Sequence, residues 1–140
     1  MNCILILVKK MITKKNNKIA EVHTTQGTLI KAEFWNMNVQ DLNDKKLLRE
    51  LCEEAVRKSK CIPIQVIDNQ FEPQGVSVLC FLEESHLAIH TYPEHNYCSI
   101  VIYTCGTKAI PEDAYEYLRE KLNPSKVIFS RDIMGIKPYN

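Results

Sequence analysis

An alternation of core-facing apolar residues with residues of the opposite face, in the second half of the chain, restricts its fold to one built on a β-sheet. Along 97–104, Cys98, Ile100 and Ile102 lie on one face and the residues between them form the other, which is the period of a strand. Similar patterns predict strands at 28–34, 61–67, 76–82 and 126–130. A turn is predicted at 72–75, because Pro73 and Gly75 interrupt the chain there.

Two amphipathic helices accompany these strands. The first covers 44–58 and has six apolar residues on one face: Leu47, Leu48, Leu51, Cys52, Ala55 and Val56. The second begins at Pro111 and ends at Asn123-Pro124. Strands joined by short hairpins, with two inserted helices, predict an α+β two-layer sandwich in which helices cover one face of an antiparallel sheet. The uncovered face needs a partner.

Length and charge indicate one domain that acts on a small molecule. The chain has 140 residues, of which 45% are hydrophobic, enough for a single core. Lysine and arginine number 18 against 17 aspartate and glutamate residues. Since this balance gives no cationic field, we expect neither nucleic acid nor a membrane as a partner. The substrate is expected in a local pocket.

Cysteine spacing favours a reducing compartment. The six cysteines, Cys3, Cys52, Cys61, Cys80, Cys98 and Cys105, form no Cys-x-x-Cys pair, and no convincing secretory signal precedes them. We therefore predict reduced thiols and a cytoplasmic location, with Cys52 and Cys80 serving as packing residues. Three histidines lie close to Cys98 and Cys105, but without a Cys-x-x-Cys pair to complete a ligand set we expect no metal.

The apolar run at the start of the chain is too short to cross a bilayer. Six apolar residues follow Asn2, and no basic residue precedes them. We interpret this run as an extra edge strand or a ragged end.

A self-cleavage reaction is the chemistry that Ser85 suggests. With a second hydroxyl at Ser77 and an imidazole at His90 nearby, the Ser85 oxygen can attack the carbonyl of Glu84. Elimination from the resulting ester would leave a pyruvoyl group, a ketone that captures an amine as a Schiff base. Taken alone, Ser85 is better interpreted as a turn serine between two strands, and an isolated strand histidine is more often structural.

Five segments in order carry a family resemblance: 27–34, 42–44, 71–77, 84–94 and 103–106. With them the chain resembles the bacterial-type S-adenosylmethionine decarboxylase proenzymes, which depend on a pyruvoyl group. The resemblance implies an N-terminal extension at 1–26 and one domain at 27–140, cut between Glu84 and Ser85. It also implies a homodimer of processed protomers in an αββα arrangement.

The same resemblance assigns the processing residues. Ser85 is the nucleophile and becomes the covalent pyruvoyl cofactor. His90 is the base that removes the Ser85 α-proton during elimination. Ser77 hydrogen-bonds the carbonyl or the oxyanion of the acyl shift. His86, beside the cut, is a weaker candidate that lines the site.

Three further residues match groups that act during turnover. Cys105 matches the acid that protonates the substrate carbon. Phe71 matches the aromatic ring on which adenine stacks, and Glu94 matches the carboxylate that accepts hydrogen bonds from the ribose. As alternatives, Phe71 fits a core position, Glu94 a solvated turn and Cys105 a buried strand end.

The implied activity is decarboxylation of S-adenosylmethionine to the aminopropyl donor for spermidine. The chain departs from the family at 28–29, where Arg-His is common, at Val78, where glycine is common, and at Tyr92, where tryptophan is common. Two alternatives remain: a pyruvoyl-dependent ornithine or arginine decarboxylase, and an uncleaved, non-catalytic regulatory partner of another subunit.

Overall fold

A six-stranded antiparallel sheet and a layer of helices make up the part of the chain that the structure describes. The structure is a computed structural model that describes residues 25–136. The strands are β1 (Gly27–Trp35), β2 (Pro63–Gln70), β3 (Val76–Leu82), β4 (Ser85–Tyr92), β5 (Tyr97–Cys105) and β6 (Lys126–Met134). The helices are α1 (Val39–Leu42), α2 (Lys45–Lys58) and α3 (Pro111–Leu122).

The strand order β2-β3-β4-β5-β1-β6 places the β3–β4 hairpin and β5 in the interior of the sheet. Every neighbouring pair is antiparallel. The α+β class and the antiparallel sheet with helices on one face are therefore confirmed. Within residues 25–136 no helix is long and apolar enough to cross a membrane.

The core lies between the helices and one face of the sheet. In α2 the predicted apolar face is buried, with Leu48, Cys52 and Val56 fully inside. Asp44 caps this helix, since its side chain accepts a hydrogen bond from the Leu47 N–H at 2.9 Å. Such a stripe of apolar residues at helical spacing is stable only against another apolar surface, which the sheet supplies.

The opposite face of the sheet, called here the open face, carries no helix from residues 25–136. Alternate residues of β3, β4 and β5 point to it, because side chains along a strand alternate between faces. Ile67, Leu79 and Phe81 lie there with 52%, 38% and 52% of their surfaces exposed. A large apolar surface of this kind usually marks an interface.

Most element boundaries match the sequence prediction, but the sequence analysis gave no residue bounds for two elements. The strand β4 and the single-turn helix α1 are additional to the predicted elements. Strand β6 continues to Met134, beyond the predicted end at 130, because it pairs with β1 along its whole length. The predicted strand or ragged end within residues 1–10 lies outside the described residues, as does most of the predicted extension at 1–26.

Candidate active site

The hairpin between β3 and β4 carries the predicted cleavage bond at its tip. Leu82 and Ser85 are register partners, so only Glu83 and Glu84 connect the two strands. A tight hairpin needs positive φ near its turn, and here it falls on Ser85, whose φ is +147°. Since a side chain disfavours that region, backbone strain is concentrated at the predicted scissile bond.

The carbonyl oxygen of Glu84 accepts two hydrogen bonds from Cys105, the last residue of β5. The Cys105 N–H lies 2.9 Å from this oxygen, and the Cys105 Sγ lies 3.0 Å from it. Donors aimed at a carbonyl stabilise the negative charge that develops when a nucleophile attacks its carbon. The arrangement therefore suits attack on the Glu84 carbonyl carbon.

Ile62, the residue before β2, holds the same hairpin from its other side. The Glu84 carboxylate accepts a hydrogen bond from the Ile62 N–H at 3.0 Å. The Glu83 N–H donates to the Ile62 carbonyl at 2.9 Å. The tip of the hairpin is thus hydrogen-bonded on both sides, to Ile62 and to Cys105, which limits its motion before the reaction.

An imidazole contacts the Ser85 hydroxyl directly. The Oγ of Ser85 and the Nδ1 of His86 are 3.1 Å apart. The His86 ring lies 6.0 Å from that of Tyr103, its partner on β5. Glu84, Ser85, His86 and Cys105 are called here the Ser85 cluster.

The other predicted processing residues meet at the opposite end of the hairpin. Ser77 and His90 are register partners on β3 and β4, and a hydrogen bond of 2.7 Å joins the Ser77 hydroxyl to His90 Nδ1. At the same end, Phe71 lies in the loop that precedes β3, and Glu94 lies in the turn that follows β4. Ser77, His90, Phe71 and Glu94 are called here the His90 cluster.

Asn43 holds the loop of this second cluster. Its Oδ1 accepts hydrogen bonds at 2.9 Å from the Gly75 N–H and from the Gln70 side chain. Gly75 has a φ of +105°, and an added Cβ would lie 3.1 Å from the Thr91 carbonyl oxygen, so glycine suits this close approach. The loop presents Phe71 with 49% of its surface exposed.

Glu94 stands beside the same loop. Its carboxylate accepts a weak hydrogen bond from Gln74 at 3.3 Å. Buried Thr91 links β4 to the end of α1 and to β3. Its hydroxyl donates a hydrogen bond to the Leu42 carbonyl at 2.6 Å and accepts one from the Val76 N–H at 2.8 Å. An exposed ring and a carboxylate at one end of the sheet suit a ligand with a flat base and a diol.

Within one chain the two clusters are well apart. His90 follows Ser85 by five residues on the same strand, and five residues of strand span about 16 Å. The structure therefore brings Ser85 to Cys105 but does not bring Ser77 and His90 beside Ser85 of the same chain, where the sequence argument had located them. The Ser85 cluster and the His90 cluster are therefore two separate groups of residues within one chain.

A cavity of about 300 Å³ adjoins the Ser85 cluster. Gly27, Thr28, Thr104, Gly106 and Thr107 are among the residues that line it, and Thr104 and Gly106 flank Cys105. A larger cleft of about 610 Å³ between the ends of α2 and α3 is lined mostly by charged side chains and contains none of the predicted site residues. The smaller cavity is the one next to the Ser85 cluster, because its lining includes both chain neighbours of Cys105 and the register partner of Ser85, Thr104.

The thiols of the described region differ in their surroundings. Cys52, Cys61, Cys80, Cys98 and Cys105 are all free. A hydrogen bond with Cys80, together with burial, raises the pKa of Cys52 well above its ordinary value, and burial raises the pKa of Cys98 to about 12. Cys105 is only partly buried. The prediction that Cys52 and Cys80 are buried packing residues is confirmed, and Cys105 is the thiol that reaches a reactive group.

No three residues among the histidines, cysteines, aspartates and glutamates of 25–136 are arranged to hold a metal ion.

A two-layer α+β domain with a serine hydroxyl beside a doubly hydrogen-bonded peptide carbonyl has the architecture expected of a self-processing proenzyme. The family model described as S-adenosylmethionine decarboxylase matches residues 28–132. The chain therefore belongs to the S-adenosylmethionine decarboxylase family, as the sequence predicted.

Individual relatives agree with this family. An S-adenosylmethionine decarboxylase proenzyme of Bacillus cytotoxicus is 40% identical over 99 residues, which cover 71% of this chain and 76% of the relative. S-adenosylmethionine decarboxylase proenzyme 2 of Bacillus anthracis is 38% identical over 114 residues, covering 81% and 93%. The crystal structure of the adenosylmethionine decarboxylase from Aquifex aeolicus is similar with a TM-score of 0.78 and 30% identity, covering 84% of this chain and 97% of that one.

Two residues of the site have contacts that the sequence argument did not assign. His86 contacts the nucleophile, although neighbouring strand residues normally face opposite ways. Asn43 holds the Phe71 loop from a position 28 residues earlier in the chain. Asn43 belongs to the segment 42–44 that carries part of the family resemblance, but the sequence analysis assigned it no role.

Proposed function

We propose that this chain is the self-cleaving proenzyme of an S-adenosylmethionine decarboxylase that supplies the aminopropyl donor for spermidine synthesis in the cytoplasm. The observation that supports this most directly is the Glu84 carbonyl, which accepts two hydrogen bonds from Cys105 and precedes the strained residue Ser85. A peptide bond held in this way is prepared for attack by the adjacent hydroxyl.

The processing steps follow from the chain's own groups. The Ser85 Oγ attacks the Glu84 carbonyl carbon, and the oxyanion is stabilised by the Cys105 N–H and S–H. The C–N bond then breaks, which leaves an ester at Ser85 Oγ and a free amine. In the second step His90, oriented by its hydrogen bond with Ser77, removes the Ser85 α-proton, and the Glu84 carboxylate departs to leave a dehydroalanine. The imine tautomer of this dehydroalanine takes up water and releases ammonia, which would give the pyruvoyl group.

The residues around the cut fit the group that processing would generate. The pyruvoyl group would supply an electrophilic carbonyl that accepts electrons as carbon dioxide leaves. Position 85 would carry it, and the register partner of that position, Thr104, lines the 300 Å³ cavity. Cys105 would hold the proton destined for the substrate carbon. Phe71 would stack on the adenine, and Glu94 would accept hydrogen bonds from the ribose hydroxyls.

A second copy of the chain would complete the site. Each protomer has a Ser85 cluster and a His90 cluster about 16 Å apart along β4, too far for one to serve the other. A two-fold interface applies the same surface to itself, so pairing through the apolar open face can set one chain's His90 cluster against its partner's Ser85 cluster. The homodimer would then have the αββα arrangement, with two sites.

Complementation between two defective chains tests this shared site. Ser85→Ala lacks the nucleophile and His90→Ala lacks the eliminating base, so each alone should give no mature enzyme. Co-expressed, the His90→Ala chain should be cut to pyruvoyl fragments when paired with Ser85→Ala, because the intact His90 lies in the partner. Absence of cleavage in the mixed dimer, with normal dimer formation, would contradict a site shared between chains.

Substrate choice is tested with carboxyl-labelled compounds. Labelled carbon dioxide should be released from S-adenosylmethionine. Ornithine and arginine should release little, because neither has an adenine ring to stack on Phe71 or ribose hydroxyls to hydrogen-bond Glu94. Release from ornithine or arginine alone would support the alternative decarboxylase. A chain that never cleaves would support the non-catalytic regulatory partner.

A further inference from the structure

The contact between Ser85 and His86 is unusual for adjacent strand residues. Consecutive side chains on a strand point to opposite faces, yet the Ser85 Oγ lies 3.1 Å from His86 Nδ1. The φ of +147° at Ser85 departs from strand geometry, and this departure allows the two side chains to meet. The strain at the predicted scissile bond and the imidazole contact therefore have one structural origin.

The first proton transfer of self-cleavage needs a base within hydrogen-bond distance of the Ser85 hydroxyl. His90 of the same chain pairs with Ser77 at the other end of the hairpin. Among the histidines of residues 25–136, His86 is the one whose ring nitrogen contacts the Ser85 Oγ. An imidazole is suited to this transfer near neutral pH.

We propose that His86 is a catalytic residue of self-cleavage, the general base for the acyl shift. The inference rests on the proposed self-cleaving function and divides its two steps between two histidines. His86 Nδ1 takes the Oγ proton as Oγ bonds to the Glu84 carbonyl carbon. The imidazolium then gives this proton to the Ser85 nitrogen as the C–N bond breaks. The acyl shift thus moves one proton from oxygen to nitrogen and consumes no other reactant.

This assignment separates the requirements of the two steps. The oxyanion donors on Cys105, the nucleophile and its base all belong to one chain, so ester formation requires only local groups. Elimination requires His90, which the proposed dimer supplies from the partner. Loss of His86 and loss of His90 should therefore stop processing at different chemical stages.

Hydroxylamine distinguishes these stages because it cleaves an ester but not a peptide bond. Full-length wild type, His86→Ala, His86→Gln and His90→Ala should be made by cell-free synthesis and followed by fragment mass with and without hydroxylamine. His95→Ala is the matched control, since His95 is a histidine of the turn outside both clusters. Melting temperatures should be compared, and the glutamine variant preserves side-chain bulk.

General base catalysis contributes about 10²-fold to 10⁴-fold in rate, so both His86 variants should cleave at least about 100-fold more slowly. Hydroxylamine should not restore their cleavage, and added imidazole should accelerate His86→Ala. Cleavage of His90→Ala, in contrast, should be restored by hydroxylamine, which would yield a fragment beginning with intact Ser85. The control should behave as wild type.

The inference is overturned if a folded His86→Gln chain cleaves at the wild-type rate. It is also overturned if hydroxylamine restores the cleavage of either His86 variant, since the ester would then form without this base. Either result leaves the proposed function intact. A wild-type chain that remains uncleaved would instead remove the self-cleaving function, and this inference with it.

Discussion

The thiol and the backbone N–H of Cys105 both donate hydrogen bonds to the carbonyl oxygen of Glu84, at 3.0 Å and 2.9 Å. The residue expected to deliver a proton during turnover therefore also contacts the bond that must be cut first. Because the backbone donor does not depend on the side chain, substitutions of Cys105 can separate the two reactions.

We predict that Cys105→Ala still cuts itself but decarboxylates poorly. Loss of one oxyanion donor costs about 10²-fold to 10³-fold in rate, and a thiol is a weak donor, so cleavage should slow by no more than about 100-fold. Turnover should convert part of the pyruvoyl group to an alanyl N-terminus, because the proton reaches the wrong carbon. Fragment mass during reaction with carboxyl-labelled substrate measures both effects.

Cys105→Ser is the matched control for this experiment. A hydroxyl restores the second donor to Glu84, so cleavage should return toward the wild-type rate. It is a much weaker acid than a thiol, so decarboxylation should stay impaired. Unimpaired decarboxylation by Cys105→Ala would exclude this residue from proton delivery.

Asn43→Ala should weaken substrate binding more than it slows the chemistry. The substitution removes the acceptor of two hydrogen bonds, each worth about 1 kcal/mol, and releases the loop that presents Phe71. We expect the KM of the mature enzyme for S-adenosylmethionine to rise roughly 10-fold, with a smaller change in kcat. Asn43→Asp retains an acceptor and should behave nearly as wild type. Equal KM values for the alanine variant and wild type would contradict the role given to this loop.

Asp68 should stabilise the fold in a pH-dependent way. The Arg49 guanidinium beside Asp68 holds the pKa of that carboxyl below its ordinary value, and Lys45 lies 3.3 Å away. A group whose pKa is lower in the folded state stabilises it above the unfolded pKa, and this contribution disappears as pH falls through the folded pKa. Asp68→Asn should therefore reduce the free energy of unfolding at neutral pH and have less effect in acid.

Urea denaturation at fixed protein concentration, in the uncleaved Ser85→Ala background, measures this difference. Asp132→Asn is a suitable control, because its ion pair with Lys31 is more than half exposed on both sides and such pairs contribute little. A difference between Asp68→Asn and its parent that stays constant from neutral pH down to strong acid would contradict the assigned pKa direction.

The sequence predicted the layers of this fold because apolar periodicity directly reports which residues are buried. The face of α2 and the alternation of β5 are both in the core as expected. The strand β4 was harder to delimit, since only Leu87, Ile89 and Thr91 mark its buried side and Ser85 and His86 begin it irregularly. Long-range pairing with β3 and β5 fixes it instead.

The grouping of the site residues could be predicted only in part. Family resemblance assigned Ser85 and Cys105, and the register of β4 and β5 brings them together. It could not show that His90 and Ser77 are at the far end of the same hairpin, because their separation from Ser85 follows only from β4 running as one extended strand from Ser85 to Tyr92. The contact between Ser85 and His86 depends on a positive φ at a serine, which no residue type signals.

Intact-mass measurement of the purified wild-type protein, beside Ser85→Ala, tests the central claim most directly. We expect the wild type to consist of two fragments that separate between Glu84 and Ser85, the second lighter by one ammonia than a serine-initiated chain because its N-terminus is a pyruvoyl group. Ser85→Ala should remain a single chain. A wild-type protein of one uncut chain, or one in which Ser85→Ala is cut at the same bond, would contradict the account.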